Sequence, residues 1–261
     1  MTSRPPSGPE RRRPIVPITA TTPDAGRPRV ARILPDVTGL DKQFDYLVPA
    51  ELAESIAVGS IVRVPLHGRR VGGWVLELDP VDQPSSTLRP IAKVSSRGPD
   101  AGLIDLARWA SVRWAAGRLR PFLVAASPVA NVAALPSGRR SGRPFEPSHD
   151  GARRLLAGGG GMLRLPPSED VMPVLAAAAS LGPVLVVVPS IDRARIDATR
   201  LRRAGLSVAL VPQDWALAAA GVDVFVGART AAWAPCPDLA AAVVVDEHDE
   251  ALQEERSPTW H

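Results

Sequence analysis

The sequence predicts a mixed fold, in which a small β-barrel-like domain precedes a partial α/β lobe with a parallel sheet. Three observations support this prediction. Short apolar runs with a period of two fill the first half of the chain, and a stretch with helical spacing follows them. Continuous β-branched runs alternate with helical or turn segments in the second half, as is typical of parallel strands covered on both faces. A stretch rich in Pro, Gly and Arg separates the two halves.

Composition divides the chain into four segments. Residues 1–28 mix Pro, Arg, Ser and Thr without apolar periodicity, so we predict a disordered basic arm. We expect residues 29–128 to form the barrel with its helix. Residues 129–157 are predicted to be a flexible basic linker, because no periodicity is sustained there. Residues 158–261 are predicted to be the α/β lobe.

The strands of the barrel follow from alternation. The rings of Phe44 and Tyr46 alternate with Asp45, which places both rings on one face of a strand. Apolar runs at 61–64 and 71–78 predict further strands, and a glycine-containing turn separates them. Helical spacing of apolar residues over 103–114 predicts a helix that packs on the barrel.

Charge and cysteine content limit the classes of function. The 261 residues carry a net charge of +4, which favours acidic partners such as nucleic acid, although such a charge is also ordinary for a soluble protein. The single cysteine, Cys236, excludes an internal disulfide and a cysteine-rich zinc site, so a reducing cytoplasm fits best. No apolar run approaches the roughly 20 residues that span a bilayer. We therefore predict a cytoplasmic protein with no membrane partner.

A pair of carboxylates follows the last apolar run of the α/β lobe. Val243–Val245 is followed directly by Asp246 and Glu247. Phosphate-hydrolysing α/β domains hold magnesium in this way, with one carboxylate as ligand and the next orienting water. Asp246 is therefore the candidate magnesium ligand, and Glu247 is the candidate general base.

The phosphate loop that such a site requires has lost its usual form. The loop reads G-x-x-x-x-G-K-[ST] in working sites. The corresponding stretch here is Gly158, Gly159, Gly160, Gly161, with no lysine and no following serine or threonine in register. Both lysines of the chain precede residue 100. We predict a degenerate nucleotide-binding loop and an α/β lobe without hydrolytic activity.

Two groups of motifs, one in each half, resemble a single family in the same order. The barrel contributes FDYLVP at 44–49, GSIVRVPL at 59–66 and VGGWV at 71–75. The α/β half contributes VGARTAAWAP at 226–235, similar to VGTRSALFAP, and the stretch 243–250, similar to a VDEEHD box. Together they resemble the primosomal protein N′ family, the PriA replication restart proteins.

The resemblance implies a protein that binds abandoned replication forks through the nascent 3′ end and helps to reload the replicative helicase. It implies fork and single-strand/duplex junction DNA as ligands, with primosome and single-strand-binding proteins as partners. Its 3′-end pocket would contain Phe44, Asp45, Gly68 and Arg89. A carboxylate accepts a hydrogen bond from a 3′-hydroxyl, a ring stacks on a base, and arginine pairs with phosphate. The α/β half would be a RecA-like, P-loop NTPase-like helicase lobe.

The chain also departs from the family. The family has a GSGKT loop, an inserted winged-helix domain, a second helicase lobe and zinc-binding cysteines, and it uses ATP, magnesium and zinc. The linker here is too short for the winged helix, and the zinc ligands are absent. We therefore predict a fork-binding protein without ATPase activity and with no assigned cofactor. Two alternatives stay open: an active ATP-dependent 3′ to 5′ helicase whose other parts lie outside this sequence, and a generic barrel interaction module fused to an α/β small-molecule domain.

Overall fold

The computed structural model describes residues 28–82, 88–141 and 149–253. Apart from Pro28, the predicted basic arm lies outside these residues. They contain a five-stranded antiparallel sheet and a four-stranded parallel sheet. The predicted mixed fold is confirmed.

The first half of the chain forms the antiparallel sheet. Its strands stand in the order β2-β1-β4-β3-β5. Their bounds are Val30–Pro35 for β1, Phe44–Leu47 for β2, Ile61–Leu66 for β3, Arg69–Leu78 for β4 and Lys93–Ser96 for β5.

Backbone hydrogen bonds join the two ends of this sheet. The amide of Leu47 in β2 donates to the carbonyl of Arg89 at 3.0 Å, and the carbonyl of Leu47 accepts from the amide of Ile91 at 3.0 Å. The segment leading into β5 thereby lies beside β2 and closes the sheet into a barrel. Closure removes an exposed edge. The interior is filled by the alternating apolar residues of the strands, among them Ile33, Tyr46, Val62, Val64 and Val75.

Two helices, α1 (Ala101–Trp114) and α2 (Arg120–Ala126), pack on the barrel. The side chain of Asp100 caps α1 by accepting from the amide of Leu103 at 2.9 Å. The apolar face of α1 packs with α2 against Trp74, whose indole N–H donates to Ser127 at 2.8 Å.

The second half contains a parallel sheet in the order β7-β8-β6-β9. The strands are β6 (Val184–Val187), β7 (Val208–Leu210), β8 (Val224–Gly227) and β9 (Ala241–Val244). The helices are α3 (Asp150–Ala157), α4 (Met172–Ala179), α5 (Ile191–Arg203) and α6 (Trp215–Ala220). Short 3₁₀ segments occur at Ala50–Leu52, Arg229–Trp233 and Glu250–Leu252.

The two halves share an aromatic interface. Trp233, from the second half, lies in the same core cluster as α1 and α2, with its ring centroid 5.1 Å from that of Phe122. The indole N–H of Trp215 donates to the carbonyl of Ala126 at 2.8 Å. These buried contacts fix α2 against the α/β half.

The structure differs from the predicted flexible linker in the middle of that segment and at its C-terminal end. The amide of Arg139 donates to the carbonyl of Gly221 at 3.0 Å, and the amide of Ser141 donates to the carboxylate of Asp223 at 3.1 Å. Burial raises the pKa of Asp223, but the hydrogen bonds from Ser207 and Ser141 outweigh it and hold that pKa below its ordinary value. Residues near 140 are thus docked on the α/β half. The predicted linker also includes α3. The segment is therefore partly helical and partly bound to the α/β half, and not a flexible chain throughout.

None of the helices in the described ranges is long and apolar enough to cross a membrane.

Candidate nucleic-acid interface

Asp45 lies on the outer face of the barrel and is paired with an arginine of the next strand. It stands directly opposite Arg32 of β1. The guanidinium donates from Nε to one carboxylate oxygen at 2.9 Å and from Nη2 to the other at 3.1 Å. The carboxylate is only 10% exposed. Because a carboxylate has about four acceptor positions, this pairing leaves capacity for a further donor.

Arg32 is the centre of a small charge network. It also contacts Asp82 at 3.0 Å and Glu77 at 3.4 Å. The hydrogen bond with Asp45 is the largest contribution that raises the pKa of Arg32, and Arg32 in turn lowers the pKa of Asp82. Arg32 therefore holds the Asp45 carboxylate in a fixed orientation on the barrel surface.

The two aromatic residues of β2 face the interior of the barrel. The ring of Phe44 packs against the barrel core, and the ammonium of Lys42 lies 5.5 Å from its centroid. Tyr46 is buried and donates its hydroxyl to the carbonyl of Pro65 at 3.1 Å. Since alternate residues of a strand point to opposite faces, the structure does not bring the Phe44 ring and the Asp45 carboxylate together on one surface.

Gly68 forms the tip of the β3–β4 hairpin. It follows His67 in a two-residue turn, with φ of +79° at Gly68 and +46° at His67. Positive φ at both positions is the geometry of a type I′ turn, which favours glycine. No atom lies within 4 Å of the position that a Cβ would take on Gly68. A ligand can therefore approach the backbone closely at this tip.

Arg89 lies on the segment that closes the barrel beside β2. Its side chain is exposed. Burial raises the pKa of Tyr46, whereas the positive charge of Arg89 lowers it. Because Tyr46 also reaches Pro65, two residues before the hairpin turn, the structure brings Arg89 and the β3–β4 hairpin toward the same part of the barrel.

Arg32 and Tyr46 are the residues that the sequence-predicted pocket omits. The signal for Arg32 is a charged residue within an apolar strand, but its partner follows only from the strand register. Alternation correctly places the ring of Tyr46 on the same face as that of Phe44, yet it does not reveal that the hydroxyl joins β2 to β3. Both residues position the predicted site.

The glycine run ends a helix and does not begin one. The amides of Gly158, Gly159 and Gly160 donate to carbonyls in the last turn of α3 at 2.9 to 3.2 Å. Phosphate loops leave such amides free at the N-terminus of a helix, where they point at the ligand. Three of the four glycine amides are thus already used, and Gly161 has φ of +152° in an extended segment.

A carboxylate lies at the N-terminus of the helix that follows. α4 begins at Met172, whose amide donates to the side chain of Asp170 at 3.1 Å. Asp170 also pairs with Arg200 of α5, and this pairing is the main cause of its lowered pKa. A negative charge at this helix end opposes the binding of a phosphate there.

Asp246 and Glu247 are exposed in a turn after β9. Asp246 has φ of +52°, and its carbonyl accepts from the amide of Asp249 at 2.8 Å. Glu247 lies 3.9 Å from His248. In the part of the chain that the structure describes, no three His, Cys, Asp or Glu side chains are arranged to hold a metal ion. Asp246 and Glu247 therefore gain no third protein ligand for a metal ion from the described residues.

The chain is similar to known proteins over most of its length. Residues 32–124 match the PriA family model described as the 3′DNA-binding domain. The chain is 30% identical over 273 residues to the probable replication restart protein PriA of Mycobacterium tuberculosis (strain ATCC 25618 / H37Rv), covering 86% of this chain and 39% of the relative. It is 29% identical over 274 residues to the probable PriA of Mycobacterium leprae (strain TN), covering 86% and 40%.

The chain spans about two fifths of the length of the curated relatives it matches. The match to the family model covers the barrel with α1 and part of α2, and the similarity to the relatives extends into the α/β half. The chain is therefore a PriA-like protein whose barrel half matches the family's 3′ DNA-binding domain.

Proposed function

We propose that the protein acts in replication restart by binding fork DNA through the 3′ end of the nascent strand. The observation that carries this proposal is the match of residues 32–124 to the 3′DNA-binding domain. The barrel, with α1 and α2, is the DNA-binding domain. Primosome and single-strand-binding proteins are its proposed partners, and reloading of the replicative helicase is the step that it serves.

The polar groups beside β2 support recognition of a strand end. The Asp45 carboxylate is held by Arg32 and retains acceptor capacity for a 3′-hydroxyl. Arg89 lies on the neighbouring segment and can pair with the last phosphate. Gly68 lets the hairpin backbone approach the terminal nucleotide. Phe44 faces the core, so we propose that its ring supports β2 and does not stack on a base.

We further propose that the α/β half does not hydrolyse ATP. Its glycine amides cap α3, and the Asp170 carboxylate lies at the start of α4. Such a half supports the barrel through the Phe122–Trp233 contact and leaves motor activity to other proteins.

The test is a titration of labelled DNA with the purified chain. Three ligands are compared: duplex, single strand, and a three-way fork with a 3′-hydroxyl at the branch. We expect the tightest binding to the fork, with log K falling linearly with log salt by about 0.9 for each phosphate neutralised on duplex. Equal affinity for all three ligands, or binding that salt does not weaken, would contradict the proposal. The latter result would favour the generic interaction module.

A further inference from the structure

A pocket on the outside of the barrel is lined by cations. Its volume is about 250 Å³, and its lining consists of Arg63 of β3, Arg70 of β4, Lys93 of β5 and Ala92, the residue before β5. All four residues are exposed. We call this pocket the cationic cleft. It lies on strands β3 to β5, whereas the Arg32–Asp45 pair lies on β1 and β2.

The strand register brings the three cations of the cleft together. Arg63 stands directly opposite Lys93, and Arg70 stands opposite Pro65, two residues farther along β3. All three point outward, because their neighbours along the strands pack in the barrel core. Like charges directly opposite one another destabilise an antiparallel pair. An anion bound between them would remove this repulsion.

No carboxylate of the described residues neutralises the cleft. Arg32, by contrast, contacts three carboxylates. The acidic residue nearest Gly72, which stands opposite Arg63, is Asp36. Its carboxylate is already paired with Arg120 at 2.8 Å. The cations of the cleft therefore make no ion pair with the described residues, whereas many other arginines of the protein, such as Arg32 and Arg120, do.

The size and lining of the cleft select a phosphate group. Pockets that enclose whole small-molecule ligands occupy roughly 300–1,000 Å³, and this one is smaller. Its lining has no aromatic ring on which a base could stack. Arginine and lysine side chains converging on a small open pocket are suited to phosphate oxygens.

We propose that the cationic cleft binds backbone phosphates of the strand whose 3′ end lies beside Arg89. This inference rests on the proposed function. Arg89 and Lys93 belong to one segment, and four residues of extended chain span at most about 14 Å. A duplex strand rises about 3.4 Å per nucleotide. The cleft therefore contacts phosphates within about four nucleotides of the bound end and fixes the register of the strand.

The test replaces the three cations together, as Arg63→Gln, Arg70→Gln and Lys93→Gln. Binding is measured on the fork over a series of salt concentrations, with normal linkages and with neutral methylphosphonates at the four linkages before the 3′ end. We expect the variant to lower the slope of log K against log salt by about one for each phosphate that is no longer neutralised. The methylphosphonates should weaken binding by wild-type protein and leave the variant nearly unaffected.

The matched control replaces three other exposed arginines with glutamine: Arg108, Arg153 and Arg195. It removes the same charge, but each of these arginines is paired with an aspartate three residues away on its own helix. We expect the control to keep the wild-type salt slope and its sensitivity to methylphosphonates. Equal losses of affinity in the two triple variants would mean that only net charge matters, and the cleft would be refuted.

The failure of this inference is distinguishable from failure of the proposed function. If the wild-type protein prefers a free 3′-hydroxyl and the cleft variant keeps both the salt slope and the methylphosphonate effect, the cleft is wrong and end recognition stands. If the wild-type protein does not bind the fork at all, the proposed function is wrong, and the cleft fails with it. Circular dichroism and thermal unfolding confirm that both triple variants are folded.

Discussion

Replacing Asp45 with alanine should weaken binding to a fork that ends in a 3′-hydroxyl and abolish its preference over a 3′-phosphate. Wild-type protein should prefer the hydroxyl, because a 3′-phosphate removes the donor and brings a second negative charge toward the carboxylate. A hydrogen bond to a charged group contributes about 1.5 to 3 kcal/mol. The affinity of Asp45→Ala for the hydroxyl fork should therefore fall roughly ten- to a hundredfold, and its affinities for the two ends should become similar.

The same substitution has a separate cost in stability. It removes both hydrogen bonds from Arg32, at 2.9 and 3.1 Å. Arg32 is 20% exposed and keeps its contacts with Asp82 and Glu77. We therefore expect the free energy of unfolding to fall by about 1 to 2 kcal/mol, which is near the low end of the cost of leaving a buried polar group without its partner. For a protein of this size that corresponds to a fall in Tm of roughly 2 to 8 °C. Binding must be measured well below that temperature.

Arg32→Gln separates the two effects. It breaks the same ion pair and should lower the Tm by a similar amount, but it keeps the Asp45 carboxylate. Fluorescence anisotropy with the two forks should show that Arg32→Gln retains a preference for the hydroxyl. If Asp45→Ala keeps the wild-type preference, or if folded wild-type protein binds both ends equally, the reasoning is refuted. The assignments of Gly68 and Arg89 to the end pocket would then be withdrawn as well.

Three further predictions concern the rest of the molecule. In urea unfolding, Trp233→Ala should lower the free energy of unfolding by about 3 to 5 kcal/mol, because Trp233 is only 4% exposed at the interface between the halves. The control is Trp109→Ala, at a site that is 58% exposed, and it should lower the free energy of unfolding by at most about 1.5 kcal/mol. Asp223→Asn should flatten the loss of unfolding free energy on acidification. A carboxylate with a lowered pKa stabilises the fold above its unfolded pKa of about 3.9 and loses that effect as pH falls through the lower folded value; an unchanged pH profile would contradict this. DNA-stimulated ATP hydrolysis should be at background and unaffected by Asp246→Asn, and a DNA-dependent rate that this substitution abolishes would restore the helicase alternative.

Periodicity predicts the parts of the fold that packing dictates. The alternation around Tyr46 matches β2 with its rings inward, and the helical spacing after Asp100 matches α1. The linker prediction is less successful, because the docking near Arg139 uses backbone amides, which leave no trace in composition. Sequence patterns do not reveal α3, because its eight residues are too few for a sustained periodic pattern.

The sequence identifies individual residues of the candidate site, but it does not predict which of them are paired. Sequence similarity points to Asp45 and Arg89, and the structure shows where each lies. The pairing of Asp45 with Arg32 and the juxtaposition of Arg63 and Lys93 depend on strand register, and a slip of one residue would turn these side chains to the other face. The composition of the glycine run favours a degenerate loop, whereas its hydrogen bonds show a helix end.

The motif shared with the family in the α/β half has a structural role that does not require nucleotide. Val226 is fully buried in the sheet, and a Cβ on Gly227 would lie 2.5 Å from the carbonyl oxygen of Val211. Trp233 ends the same segment and packs on Phe122 of α2. Substitutions at these positions would disturb the core or the interface between the halves. The motif therefore has a packing role in the core and at the interface between the halves, and this role does not depend on bound nucleotide.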